Sequence, residues 1–190
     1  MSKIRAFIAI ELPESVRADI GDLQKSLAAS GLKLRWVKPQ NIHLTLKFLG
    51  DAGRETIGDF CDSIAAAAAN YEVFDIRPRG VGCFPGVKNP RVIWVGLSGD
   101  LDVLGRLQAD VEAALIPLGF KPEKRPFRGH LTIGRIKGGL NPKKLADRLR
   151  THTEFATDVF RVTHVVLFQS ILQPAGPEYT PLCKIPLGAA

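Results

Sequence analysis

Residues 41–50 read Asn-Ile-His-Leu-Thr-Leu-Lys-Phe-Leu-Gly, and residues 128–136 read Arg-Gly-His-Leu-Thr-Ile-Gly-Arg-Ile. Both stretches are rich in aliphatic and β-branched residues and read as strands. Alternate residues of a strand share a face. His43 and Thr45 therefore point one way, while Leu44, Leu46 and Phe48 point the other; His130 and Thr132 oppose Leu131 and Ile133 in the same manner. The aliphatic face requires a core, so each His/Thr pair is expected on the opposite side of the sheet. By the same alternation Lys47 falls on the His43 face and is expected to line whatever that face borders. One such strand has an ordinary structural explanation. Two copies at matching places in a repeated topology point to function.

The repetition extends outward from these strands. Residues 5–10 read as a strand. A helix follows from Pro13, with Val16, Ile20, Leu23 and Leu27 at helical spacing and Gly31 as its stop. After a short extended piece at 34–37, the first motif strand covers 42–49 and Gly50 and Gly53 end it. A helix over 54–70 and an extended run over 73–83 close the first half at the Phe84-Pro85-Gly86 turn. The second half repeats the order: a strand over 91–97, a helix capped by Asp100 or Asp102, the second motif strand over 127–136, a break at Gly138-Gly139, a helix over 142–150, an extended run over 159–172 and a last strand over 179–185. Leu12 precedes His43 by 31 residues and Leu97 precedes His130 by 33, with one helix in each span. This spacing predicts an internal duplication with lobes near 1–86 and 87–190 and no long linker between them. The expected fold is α+β: one bilobal domain over 1–190, each lobe an antiparallel sheet with outer helices, and a central cleft where the two His/Thr faces meet.

Composition narrows the function classes. The chain has 190 residues, 45% hydrophobic and 24% charged, which excludes a disordered tail protein. Its net charge of +7 favours an anionic partner, nucleic acid above all. No apolar run approaches the roughly 20 residues that cross a bilayer. The first apolar stretch carries Glu11 and lacks a small-residue cleavage site, so neither a signal peptide nor membrane association is expected. Cys61, Cys83 and Cys183 are an odd number without a CxxC pair. A disulfide framework is not expected, Cys61 is expected to pack as a small hydrophobe, and a cytoplasmic location fits.

Two imidazoles facing one cleft can be one neutral and one protonated near neutral pH, as concerted general base and general acid work requires. Two threonine hydroxyls beside them can donate to the nonbridging oxygens of a phosphate. The set suits a phosphodiester whose attacking and leaving oxygens lie on opposite sides of phosphorus, with no metal and no cofactor. Carboxylate ligands and HExxH or HxH spacings are absent, so a metal site is not expected. A GxSxG elbow is also absent. Gly80-Val81-Gly82 does not open a helix and reads as a turn or bulge. His152 and His164 lack the motif and read as structural. Phe7, Trp36, Phe84, Trp94 and Phe127 are candidates for base stacking, though aromatic residues in such strands usually belong to the core.

Paired HxTx motifs on strands 87 positions apart resemble the 2H phosphoesterase superfamily, and more closely its RNA 2',3'-cyclic phosphodiesterases, also called 2'-5' RNA ligases. The resemblance covers nearly the whole chain, from Arg5-Ala6-Phe7-Ile8-Ala9-Ile10, through Trp36-Val37 and the first motif to Phe84-Pro85 and Pro90-Arg91-Val92-Ile93-Trp94, the second motif, and Tyr179-Thr180-Pro181-Leu182. It implies metal-independent hydrolysis of an RNA terminal 2',3'-cyclic phosphate to a 2'-phosphomonoester. His43 is then the proton donor, His130 the proton acceptor, and Thr45 and Thr132 hold the phosphate. The family often has an arginine five residues after the second histidine, here Arg135. Strict alternation turns Arg135 away from His130, and a bulge at Gly134 is expected to re-aim it. Gly129 stands where relatives often have proline, and Gln169 where an acidic residue is common. The expected partner is RNA with cyclic phosphate ends, acting on a monomer. The alternatives are 2'-5' ligation of cyclic-phosphate and 5'-hydroxyl ends at the same site, or a non-catalytic RNA-binding module.

Overall fold

Lys3–Ile10 forms strand β1, and Glu14–Ala29 follows as helix α1, burying Val16, Ile20, Leu23 and Leu27 along one face as their spacing requires. The first half continues with β2 (Arg35–Trp36), a single turn over Pro39–Asn41, β3 (Leu44–Gly53), α2 (Ile57–Ala68) and β4 (Phe74–Phe84). The second half contains β5 (Val92–Gly99), α3 (Leu101–Ala114), β6 (Leu131–Arg135), α4 (Pro142–Arg150), β7 (Phe160–Val162), β8 (His164–Gln173) and β9 (Gly176–Pro186). The structure is a computed structural model and describes residues 3–29, 31, 32, 34–136, 138, 141–174 and 176–188. The expected break at Gly138-Gly139 lies partly outside the described residues.

Three boundaries differ from expectation. Gly50 does not end β3: with φ of 70° it supplies a left-handed residue, and pairing with β1 continues to Gly53. The second motif strand begins at Leu131 rather than near 127. The late extended run divides at Thr163 into β7 and β8, which pair with different neighbours.

The nine strands among the described residues join one curled sheet in the order β7-β4-β5-β6-β3-β1-β8-β9, with β2 pairing β6 beside β3. The two motif strands, β6 and β3, meet in the middle. Each half builds the same unit: a strand, a helix, and a motif strand laid antiparallel beside the first, as β1-α1-β3 and as β5-α3-β6. The outer strands are exchanged between the halves. β4, from the first half, pairs with β5, while β8, from the second, pairs with β1. The two sheet halves are therefore not the same residues as the two sequence halves.

The helices cover one face of the sheet. Leu44, Leu131 and Ile133 are completely buried there, in a core shared with α1, α2, α3 and α4. Deleting either leucine side chain costs about 2–5 kcal/mol. A smaller cluster of Phe7, Ala9, Val166 and Phe168, with Tyr179 packed on it, lies apart from that core.

The cysteine expectation is corrected. Cys61 of α2 and Cys183 of β9 form a disulfide with Cα atoms 6.4 Å apart, and Cys83 is the free thiol. The bond joins residues 122 positions apart, which no local spacing reveals. No helix among the described residues is long and apolar enough to cross a membrane.

Candidate active site

The register at the centre of the sheet sets the geometry. Leu44 of β3 pairs with Leu131 of β6 in antiparallel sense. Continued by one residue each way, that register places His43 opposite Thr132 and Thr45 opposite His130. The two histidines are diagonal neighbours, a relation that separates residues by about 7–8 Å, and each stands beside the other motif's threonine. All four line one cleft of about 650 Å³. Neither threonine hydroxyl is engaged by another group among the described residues.

A bulge follows each threonine. On β3, Thr45 pairs with Ala9 and Lys47 with Ile8, leaving Leu46 without a partner. On β6, Thr132 pairs with Trp94 and Gly134 with Ile93, leaving Ile133 without a partner. The extra residue reverses the alternation beyond it. This corrects two expectations on β3. Lys47 turns away from the cleft and is buried, its ammonium bound to Glu112 of α3 and to the Lys121 carbonyl. Phe48, expected in the core, is 68% exposed and lines the cleft. On β6 the same reversal brings Arg135 into the cleft, through a bulge at Ile133 rather than at Gly134. Gly134 serves a different purpose: a Cβ there would stand 3.2 Å from the Trp36 ring, so glycine lets β2 lie close.

The bulge carbonyls are satisfied by a pair of buried glutamines. Gln24 Nε2 of α1 donates to the Ile133 carbonyl (2.8 Å) and the Val37 carbonyl (2.7 Å). Gln108 Nε2 of α3 donates to the Leu46 carbonyl (3.3 Å). Each duplicated helix thus supports the bulge on the opposite motif strand. The signal was present in the sequence as Gly21-Asp22-Leu23-Gln24 and Gly105-Arg106-Leu107-Gln108.

Both histidines are oriented alike. His43 Nδ1 lies 2.9 Å from the Asn41 carbonyl and His130 Nδ1 lies 2.7 Å from the Arg128 carbonyl. A carbonyl only accepts, so Nδ1 carries the proton in each ring and Nε2 is left for the cleft. Their surroundings differ. His43 packs on Phe7 (4.7 Å between centroids) and edge-on to Tyr179 (5.2 Å), above the small apolar cluster. Burial there pushes its pKa down to about 4, against the opposing pull of the Asn41 carbonyl. His130 meets Phe84 edge-on at 5.0 Å, its one aromatic ring contact among the described residues. Asn41 also donates from Nδ2 to the Pro177 carbonyl (2.7 Å), tying the turn before His43 to the β8–β9 hairpin.

The cleft is basic. Arg5, Arg35, Lys38 and Arg135 line it, and none has a carboxylate within salt-bridge distance among the described residues. Tyr179 lies among them: burial raises its phenol pKa, and Arg135 and Arg5 oppose that rise. The other two histidines are structural: His152 bonds Ser26 Oγ (3.0 Å) and His164 meets Glu11 (3.2 Å). Gly80 is the left-handed residue of a bulge between β4 and β5. Among the described residues, no three His, Cys, Asp or Glu side chains gather as a set of metal ligands.

The duplication is also visible in comparison with known proteins. The LigT like phosphoesterase family matches the chain twice in succession, over residues 10–94 and 95–179. The RNA 2',3'-cyclic phosphodiesterase of Methanothermobacter thermautotrophicus is 36% identical over 178 residues, covering 94% of this chain and 96% of its own. The crystal structure of TT0787 from Thermus thermophilus superposes with a TM-score of 0.81 at 29% identity, covering 98% of this chain and all of that one. Escherichia coli LigT complexed with 3'-AMP shares the fold, with a TM-score of 0.73 at 23% identity over 98% of this chain and 99% of its own. A twice-matched profile, full-length relatives and a shared fold give one conclusion: the chain belongs to the LigT-like phosphoesterase family.

Proposed function

We propose that this protein hydrolyses the terminal 2',3'-cyclic phosphate of RNA to a 2'-phosphomonoester, without a metal, through its two histidines. The observation that carries the reading is the diagonal placement of two Nδ1-anchored imidazoles, each beside a threonine hydroxyl, with neither Nε2 nor hydroxyl engaged by another group among the described residues. Relatives that match nearly the full length are RNA 2',3'-cyclic phosphodiesterases. The cyclic phosphate sits between the imidazoles, its nonbridging oxygens on Thr45, Thr132 and Arg135.

Water attacks phosphorus from the His130 side and its proton passes to His130 Nε2. The P–O3' bond breaks on the opposite, in-line side, and the 3'-oxygen takes the proton of His43 Nε2. The products are a 3'-hydroxyl and a 2'-phosphomonoester; His43 is left neutral and His130 protonated, and exchange with solvent restores both. Burial favours the neutral form of His43. The phosphate anion supplies the neighbouring negative charge that stabilises its imidazolium, so substrate binding takes up a proton. A 5'-hydroxyl of RNA in place of water runs the corresponding 2'-5' ligation, and water's abundance makes hydrolysis dominant.

The test is incubation with an oligonucleotide ending in a 2',3'-cyclic phosphate, with and without EDTA, and mapping of the product. A 2'-phosphate formed equally well in EDTA is the expected result. A 3'-phosphate product, or activity abolished by EDTA, would overturn the mechanism.

A further inference from the structure

Arg35 and Arg135 face each other directly across β2 and β6. Like charges in directly opposed positions destabilise a sheet. Both side chains line the cleft, and Lys38 joins them from the turn that follows β2. Some exposed arginines outside the cleft meet carboxylates, as Arg161 does with Asp75 (3.1 Å) and Arg150 with Asp147 (3.0 Å), while others such as Arg54, Arg91 and Arg148 meet none among the described residues; what sets Arg35 and Arg135 apart is their direct opposition in register. A group of cations opposed in register, inside a cleft and without a carboxylate partner among the described residues, is arranged for an anion brought by a ligand.

The threonines and Arg135 account for one phosphate. Arg35 stands on β2 directly opposite Arg135, and Lys38 follows it; with Arg135 engaged by the reacting phosphate, these two cations are left over. A single phosphate held between Thr45 and Thr132 leaves Arg35 and Lys38 without an anion. The direction is also informative. Along β6 the opposed residues run from Leu44 to Trp36 to Arg35, so the cations continue past the His43 end of the cleft. In the reading above, which this inference extends, His43 serves the 3'-oxygen. The ribose carbon bearing that oxygen adjoins the carbon that carries the 5' arm, so the chain leaves the cleft on the His43 side.

We propose that Arg35 and Lys38 form a second phosphate subsite for the phosphate on the 5' side of the terminal nucleotide, so that the enzyme recognises a polynucleotide end in preference to a bare cyclic nucleotide. The phosphate comes from one of two sources, the last internal phosphodiester of an RNA or the 5'-phosphate of a small nucleotide.

Three substrates separate the terms: a nucleoside 2',3'-cyclic phosphate with a 5'-hydroxyl, the same compound with a 5'-phosphate, and a dinucleotide ending in the cyclic phosphate. For the unmodified protein, kcat/KM should rise about 10- to 100-fold when the 5'-phosphate is added, the usual range for a charged hydrogen-bonded contact. The dinucleotide should show at least the same gain, and the gain should shrink as salt rises. In Arg35→Ala the gain should collapse to a few-fold; Lys38→Ala should reduce it in the same direction. Arg35→Gln, which keeps the stem, guards against loss of fold, checked by its melting temperature. A gain that survives in Arg35→Gln and Arg35→Ala overturns the subsite. A gain with the dinucleotide but none with the 5'-phosphate assigns the preference to base stacking and overturns it too. No gain with either added group leaves the cyclic phosphodiesterase reading intact and removes this one. Failure to cleave all three overturns both.

Discussion

The two motif strands have one backbone plan and two chemistries. Each carries His-Leu-Thr, a bulge at the next residue, and a sixth position returned to the cleft; each histidine donates Nδ1–H to the carbonyl two residues before it. The sixth position is Phe48 on β3 and Arg135 on β6. The His43 copy rests on a small apolar cluster and is edged by Tyr179, whereas His130 has one aromatic ring contact among the described residues. In the proposed mechanism the duplicated backbone supplies the symmetry that in-line displacement needs. Its side chains are asymmetric: the His43 end is apolar and the His130 end brings Arg135 into the cleft.

The comparison breaks first at the histidines. His43→Ala and His130→Ala should each lower the rate by about 10²–10⁴-fold, and the double variant should lose far less than the product of the two, because half of a concerted pair does little. Nearly full activity in either single variant would separate the pair.

The next effect tests a structural difference between the sheet halves. Cys183 lies on β9, the strand that also carries Tyr179 over His43, and its disulfide ties that strand to α2; Cys83, on the His130 side, is free. Reduction, or Cys61→Ser, should lower stability by about 2–4 kcal/mol, read as a fall in melting temperature. Amide exchange should rise in β9 before β5. Uniform loosening of both halves would contradict the asymmetry.

Burial of His43 gives a pH dependence of similar size. A histidine held near 4 when folded binds fewer protons than the unfolded chain, in which its pKa is about 6.5. The stability is therefore complete above pH 6.5 and falls as pH drops toward 4, by about 3 kcal/mol at most. In the free protein, the His43 ring resonances should titrate near pH 4. Phe7→Ala opens the apolar floor and should move that titration back toward 6.5. A His43 titration already near 6.5 in the unmodified protein would mean that the two copies do not differ in this way.

The smallest effect compares the sixth positions. Arg135→Ala should lower kcat/KM by about 10- to 100-fold through loss of a charged contact to phosphate. Phe48→Ala should cost less than tenfold, because the equivalent place carries no charge. Equal losses would make the two ends alike.

Much of this was legible in the sequence. The His/Thr and Leu faces follow from strand periodicity alone, and the two copies with their preceding helices marked the duplication. Lys47 and Phe48 were misplaced because one unpaired residue, Leu46, reverses every alternation after it, and a bulge depends on the partner strand's register. The repeated Gly-x-Leu-Gln was in plain sight, yet a glutamine on an amphipathic helix does not say which carbonyl it will meet. Exchange of β4 and β8 between the halves, and the Cys61–Cys183 bond, arise from tertiary pairing over long sequence separations. Arg35 and Lys38 gained meaning only when β2 was found opposite Arg135.

The division of labour between the histidines is tested most directly by changing the leaving group. Replacing the 3'-oxygen of the cyclic phosphate with sulfur gives a thiolate, which departs without a proton. With that substrate, His43→Ala should recover most of its lost rate, since the acid is no longer needed, while His130→Ala should remain as slow as before because water must still be deprotonated. Rescue of His130→Ala in place of His43→Ala would reverse the assigned roles, and rescue of neither would contradict acid–base catalysis by the pair.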